Sequence, residues 1–293
     1  MIQPEMEHSV FPIQALHCRH FSYSLGKQCL VMGVLNATPD SFSDGGQFLS
    51  PSEALYHAEE MLDEGADIID IGGESTRPGA RYINEAEEIS RIRPLFEVLG
   101  RQTKVPLSID TRKSSVAKVA LDLGASIVND VSAMQDDPEM ARTVQEAGAA
   151  VVLMHRKDHS VSMQDDPAYR DVIWEVRKFL RDRATVAEQA GISSDRIIVD
   201  PGIGFGKTRA HNLKLLANLS QIQELGFPVL IGASRKAFLG ELTGRPVGER
   251  EMGHAAVIAI SVWQGVQIIR VHDVKAMKDV VTLAQALRKS HEE

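Results

Sequence analysis

One phrase recurs along the chain: an amphipathic stretch, a Gly followed by a small residue, then a short β-branched apolar run ending on a polar side chain. It is read in EGADIIDIGGEST, LGASIVNDVSA, AGAAVVLMH, ELGFPVLIGASRK and QGVQIIRVHD and, without the leading Gly, in KVPLSID and SDRIIVDPG. CLVMGVLNAT supplies the first run, so eight strands are expected. The stretches between them, at 51–64, 84–99, 114–123, 138–147, 168–190, 212–225, 250–264 and 275–288, carry apolar residues at helical spacing. Alternating strands and helices require right-handed crossovers and a parallel sheet. Eight such units over about 260 residues predict a single α/β (β/α)8 TIM barrel, since a doubly wound sheet has fewer strands and a dinucleotide loop after the first. Nearly continuous apolar strands fit burial on both faces.

Residues 1–29 form an N-terminal extension, and within it HCRHFSYSLGKQC predicts a β-hairpin turning at Leu25-Gly26-Lys27 that plugs the barrel bottom. No Pro/Gly/Ser linker divides residues 30–290, which read as one catalytic barrel.

Composition narrows the partners. With 43% hydrophobic and 25% charged residues among 293, the chain has the make-up of a soluble globular protein. Its 40 acidic against 32 basic residues give a net charge of -8, so neither nucleic acid nor anionic membrane is an expected partner. The longest apolar stretch, Ala255 to Trp263, is too short to span a bilayer. Cys18 and Cys29 are too few for a disulfide framework and lack zinc-site spacing, which sets a reduced, cytoplasmic location as the expectation.

In such a barrel the polar residues that terminate the strands converge on one face. They are Asn36, Thr76 with Arg77, Asp110, Asn129, His155, Asp200, Ser234 with Arg235 and Lys236, and Arg270 with His272. Singly, each reads as a cap or a turn residue. Asp110 and Asp200 could also pair locally with Arg112 or Arg196, and Met154 and His272 could be core. Eight strand ends in register exceed what capping explains. PGIGFGKT fails the phosphate-loop pattern because Pro201 stands where its first glycine is needed, and GIGFGK fails GxGxxG at Lys207. These glycines are expected to let backbone approach a ligand closely.

NATPDSFSDGG (36–46), GGESTRPGA (72–80), SID (108–110), ND (129–130), DPGIGFGK (200–207), SRK (234–236) and RVHD (270–273) together resemble the dihydropteroate synthase family of pterin-binding TIM barrels, over roughly residues 30–285. The resemblance implies a folate-pathway transferase and sulfonamide target. Such an enzyme joins 6-hydroxymethyl-7,8-dihydropterin diphosphate to p-aminobenzoate, releasing pyrophosphate in the presence of Mg2+.

The implied roles fit the chemistry of the groups. A pterin edge offers N–H donors beside a carbonyl, so Asp110, Asn129, Asp200, Lys236 and Arg270 suit it, with Met154 as an apolar wall. A departing diphosphate needs positive charge and oriented donors, supplied by Asn36, Arg77, Arg270 and His272. Asn36 is the expected Mg2+ ligand through its carbonyl oxygen. The catalytic residues are then Asn36, Arg77, Lys236, Arg270 and His272. Thr76, Arg77, Pro78, Phe205 and Ser234 are the expected p-aminobenzoate contacts. An aryl amine is already neutral at pH 7, so a dissociative displacement without a strong base is expected. The segments 37–50 and 72–82, glycine-rich and polar, read as active-site lids.

Departures from the family pattern cluster after the fifth strand, where His155 is followed by Arg156-Lys157-Asp158 instead of a Met-Gln-Gly-like phrase; Ala37 and Ala237 are tolerable changes. Two other readings compete. A pterin-binding methyltransferase using methyltetrahydrofolate shares the barrel but leaves GGESTRPGA and SRK without a diphosphate or aryl carboxylate to bind. A catalytically silent pterin-binding subunit would have lost strand-end groups that are present here. A homodimer is expected through the seventh helix, where VIAISVW is apolar over more than one face.

Overall fold

Alternation within the apolar runs decides how each strand sits. In the computed structural model, which describes residues 15–26, 28–37, 50–75, 81–157 and 168–292, β3 (Leu30–Asn36) sends Leu30 and Met32 into one buried cluster and Val31 and Leu35 into another. The first cluster is the barrel interior and the second lies between strands and helices. The same division runs through β4 (Ile68–Gly72), β5 (Leu107–Asp110), β6 (Ala125–Asp130), β7 (Ala150–Met154), β8 (Ile197–Asp200), β9 (Leu230–Ile231) and β10 (Ile268–Val271). A period of two therefore places Ile68, Val152, Ile198 and Ile268 inside and Ile69, Val151, Val199 and Ile269 outside.

All eight strands pair in parallel, in the order β8-β7-β6-β5-β4-β3-β10-β9. The two ends meet through a parallel bridge between Val199 and Val229, where the Val199 amide donates to the Pro228 carbonyl at 2.9 Å. The barrel is thereby closed, as the eight repeats predict.

Helices α1 (Pro51–Asp63), α2 (Glu85–Gln102), α3 (Ser114–Asp122), α4 (Met140–Ala147), α5 (Val172–Gln189), α6 (Arg209–Leu216), α7 (Leu219–Gln223), α8 (Ala237–Thr243), α9 (Glu251–Trp263) and α10 (Val274–Glu292) surround it. Side-chain caps set the starts of α1, α2, α5 and α6. Ser50 and Glu53 form a reciprocal capping box on α1, Asn84 caps α2 and Asp171 caps α5. Asp171 explains why α5 begins at Val172 and not at 168. The helix expected over 212–225 starts earlier, at the Thr208 cap, and breaks at Asn218 (φ -131°, ψ 38°) into α6 and α7. Phe96 on α2 is fully buried against the outer strand faces, and its truncation to Ala is expected to cost about 3–5 kcal/mol.

The N-terminal hairpin is present, but its turn is not at Leu25-Gly26. β1 (Leu16–Cys18) and β2 (Phe21–Tyr23) are joined at Arg19-His20. Arg19 takes φ 55° there while its guanidinium donates to the carbonyls of Leu121 (2.8 Å) and Ala125 (3.0 Å), a tertiary compensation for a residue that is no glycine. Leu16, Cys18 and Leu25 join Leu30, Ile68, Ile127 and Ile268, so the hairpin closes the barrel bottom.

Candidate active site

The inward parity that buries Ile68 and Ile268 at the bottom brings polar residues inward at the C-terminal ends. Asn36, Gly72, Asp110 and Asn129 are successive register partners across β3 to β6, and Met154 pairs with Asp200 across β7 and β8. Four strands thus end at one level around the mouth.

At the centre stands Arg270. Its Nε donates to Asp70 Oδ2 at 2.7 Å and its Nη2 to Asp110 Oδ2 at 2.8 Å. Asn129 Nδ2 donates to the same Asp70 oxygen at 3.1 Å. Burial works against the Arg270 charge, yet Asp70 and Asp110 hold its pKa above the ordinary value. Burial and the neighbouring Asp70 charge push the Asp110 carboxyl up, against the pull of Arg270. The remaining oxygens, Asp70 Oδ1 and Asp110 Oδ1, are buried without a hydrogen-bond partner among the described residues. A buried acceptor left unmatched calls for a donor from a ligand or water. The local pairings weighed for the two carboxylates do not form: Arg112 bonds Glu74 and Asp136, and Asp110 bonds Arg270.

Asp200 lies on the neighbouring wall. Its Oδ1 accepts from the Gly202 amide at 2.7 Å, while burial pushes the carboxyl up to about 6 against that bond and the charges of Lys236, Lys207 and Arg270. Lys236 Nζ stands 3.9 Å from the centroid of the Phe205 ring, a cation–π contact that places ammonium and aromatic ring together beside Asp200. Ser234 Oγ and His272 Nδ1 are 2.9 Å apart at the other rim. Met154 is buried at an inward position of β7, and Asn36 is half-buried at the end of β3. Thr76, Arg77 and Pro78, with the rest of 76–80 and with 38–49, lie outside the described residues.

Two site residues escape sequence reasoning. Asp70 is one; its only signal is a carboxylate at an inward position inside an otherwise apolar strand. Lys207 is the other. It is buried, and its Nζ donates to His155 Nδ1 (3.0 Å), the Phe205 carbonyl (3.0 Å) and the His155 carbonyl (3.3 Å). Burial, aided by Lys236 and opposed by Asp200, lowers Lys207 to about 7. Burial and the Lys207 charge lower His155 to about 2, so its neutral ring accepts at Nδ1. The glycines of this loop answer to the protein itself. A Cβ on Gly202 (φ +67°) would lie 1.9 Å from the His155 carbonyl oxygen, and one on Gly206 would lie 2.6 Å from that of Lys157. The close backbone approach expected for a ligand is made to the β7 loop.

That loop also explains Arg156. Its Nη2 meets Asp136 Oδ1 at 2.5 Å, and Asp136 Oδ2 accepts from Arg112 Nη1 at 3.0 Å. Arg112 in turn reaches Glu74, whose Oε2 also accepts from Lys113. A belt of alternating charges so connects the segments after β4, β5, β6 and β7.

Comparison with known proteins decides the family. The model of the family described as pterin binding enzyme matches residues 32–272. The chain is 42% identical to the dihydropteroate synthase of Bacillus subtilis over 96% of each chain.

The chain belongs to the dihydropteroate synthase family.

Two solved structures agree with the assignment. The dihydropteroate synthase of Yersinia pestis in complex with a sulfonamide drug superposes with a TM-score of 0.89 at 40% identity, covering 94% of this chain and 99% of that one. The Xanthomonas albilineans enzyme with 4-aminobenzoic acid gives 0.87 at 44% identity, covering 94% and 98%. The chain is a transferase of this family, and the methyltransferase alternative is not favoured.

Proposed function

We propose that the chain condenses 6-hydroxymethyl-7,8-dihydropterin diphosphate with p-aminobenzoate to give 7,8-dihydropteroate and pyrophosphate. The observation that carries this reading is the grouping of Asp70, Asp110 and Asp200 with Arg270 and Lys236 inside one barrel mouth. Carboxylates suit the N–H groups of a pterin edge, and the unmatched oxygen of Asp110 suits a ring donor. Asn129 adds an amide, Lys236 a donor for ring acceptors, and Met154 an apolar wall.

The aryl amine binds toward Phe205 and Ser234, with Thr76, Arg77 and Pro78 as the further contacts the family resemblance implies. The X. albilineans relative solved with 4-aminobenzoic acid supports this substrate class. Arg270 and His272 face the diphosphate, with Arg77 as the further contact the family resemblance implies; negative charge grows there as the carbon–oxygen bond breaks and the electron pair leaves with pyrophosphate. The pterin-stabilised cation is then captured by the neutral amine, which loses its proton to solvent. The described residues hold no cluster of three His, Cys, Asp or Glu fit for a metal ion. A hard cation that brings its own water and phosphate ligands needs little from the protein, and the Asn36 carbonyl oxygen fits that part. Mg2+ would there supply charge to the leaving group.

A homodimer is the proposed assembly. Met252, Ile260 and Trp263 are exposed along α9, and Leu283 and Leu287 along the adjacent α10. Sedimentation of the wild type as a dimer, and of Ile260→Lys as a monomer, is expected. Among the described residues no helix is long and apolar enough to cross a membrane, and both cysteines are free and buried, which supports the cytoplasmic proposal. The deciding experiment incubates the protein with pterin diphosphate, p-aminobenzoate and Mg2+. Equal yields of dihydropteroate and pyrophosphate are expected, and pyrophosphate release without a pteroate product would overturn the reading.

A further inference from the structure

Behind the Ser234-Arg235-Lys236 turn lies a guanidinium that the site described so far does not include. Arg250, just before α9, donates from Nη1 to the carbonyls of Arg235 (3.2 Å) and Lys236 (3.3 Å), and from Nε to the carbonyl of Arg245 (3.2 Å). The backbone it grips is strained. The Lys236 amide donates to the Ala233 carbonyl at 3.3 Å, closing a four-residue turn whose third position, Arg235, has φ +60°. That position suits Gly or Asn, and another residue persists there only where its surroundings over-determine the backbone.

Gly240 makes the grip possible. A Cβ at this position of α8 would lie 2.4 Å from Arg250 Nη2 and 2.5 Å from Nε, so any side chain there would displace the guanidinium. The turn carries much of the site: Lys236 stands over Phe205, and Ser234 Oγ meets His272. A planar fork can bond two successive carbonyls and a third across the loop, whereas an ammonium is a single point of charge.

We infer that Arg250 is a positioning residue for the pterin end of the site: by bonding the Arg235 and Lys236 carbonyls it holds the left-handed turn that aims Lys236 across Phe205 toward Asp200. The inference rests on the pterin reading above. It assigns Arg250 no contact with substrate.

The test measures 6-hydroxymethylpterin binding by calorimetry, with Tm, for the wild type, Arg250→Met, Arg250→Lys, the Arg250→Met/Arg235→Gly pair and Arg250→Met in a Lys236→Met background. Loss of the three charge-assisted bonds, two of them to the turn, is expected to weaken pterin binding about tenfold in Arg250→Met. Arg250→Lys, which lacks the fork but keeps the charge and the fold, should recover little. Arg235→Gly relieves the turn and should restore most of the lost affinity, and in the Lys236→Met background Arg250→Met should add no further loss. A lower Tm with unchanged pterin affinity, failure of the glycine rescue, or full additivity with Lys236→Met would each overturn the inference. A wild-type protein that binds no pterin would instead reject the functional reading itself.

Discussion

Arg270 Nε donates to Asp70 Oδ2 at 2.7 Å, joining residues 200 positions apart in the chain across the barrel interior. Asp70 is fully buried and also receives Asn129, so one oxygen orients both a cation and an amide of the pterin end. Removing Asp70 leaves the buried Arg270 charge with Asp110 as its remaining hydrogen-bonded carboxylate, and leaves Asn129 without this acceptor. Asp70→Ala is therefore expected to cost about 3–5 kcal/mol in urea unfolding. Pterin binding, read by calorimetry, should weaken more than tenfold. Asp70→Asn keeps an acceptor for Asn129 but not the charge, and should fall between. Wild-type stability and affinity in Asp70→Ala would remove Asp70 from the site.

Lys207 gives the fold a signature at alkaline pH. Burial lowers it to about 7, beneath an ordinary value of 10.5, while Asp200 raises it and Lys236 lowers it further. Between those two values the unfolded chain binds more protons than the folded one. Stability should then rise with pH across this window, by up to about 1.4 kcal/mol per pH unit. Urea unfolding of the wild type and Lys207→Met from pH 7 to 9.5 checks this. A slope shared by both proteins would assign it to other groups.

Asp200 governs binding on the acid side. Its carboxyl is pushed up by burial to about 6, and only the ionised form accepts from a pterin donor edge at both oxygens. Pterin affinity should rise as pH increases through about 6. Because the folded value lies above the ordinary 3.8, the same group favours folding at low pH and loses that contribution as pH passes through 6. Asp200→Asn should weaken binding at pH 7 and flatten the limb assigned to Asp200, leaving the part due to Asp110. An unaltered pH profile in Asp200→Asn would exclude this role.

Much of this was legible because a barrel strand is buried on both faces, which makes its apolar run continuous and its polar end abrupt. Asp110, Asn129, Asp200 and Arg270 announce themselves at such ends. Asp70 does not, since it sits within IIDIG and its partner Arg270 lies in the last strand; a lone carboxylate inside an apolar run says nothing of what it faces. Lys207 was similarly hidden in a glycine-rich loop, where spacing carries no information on burial. The hairpin turn was misplaced because Gly26 is the better local candidate, while Arg19 is held by carbonyls 102 and 106 residues away. Asn218 ends α6 by its own backbone angles, without a glycine or proline to mark the break. For Asp70, Lys207 and the hairpin the deciding contact is tertiary, and local propensity cannot report it.

Arg156, where the family pattern has a Met-like position, should contribute through charge. Asp136 lies between Arg156 and Arg112; partial burial raises its pKa, but the hydrogen bonds from both guanidinium groups outweigh this and hold it below the ordinary carboxylate value. A carboxyl depressed in the folded state stabilises the fold above its unfolded pKa and loses that contribution as pH falls through the folded one. Arg156→Met removes one of the two cations from a partly exposed pair, at an expected cost of about 1 kcal/mol at pH 7. The deficit should shrink once the pH falls below the depressed value of Asp136, so urea unfolding at pH 7 and at about pH 2 separates charge from packing. A deficit of equal size at both pH values would mean that Arg156 acts by filling space, and that the belt from Glu74 to Arg156 does not couple the loops it touches.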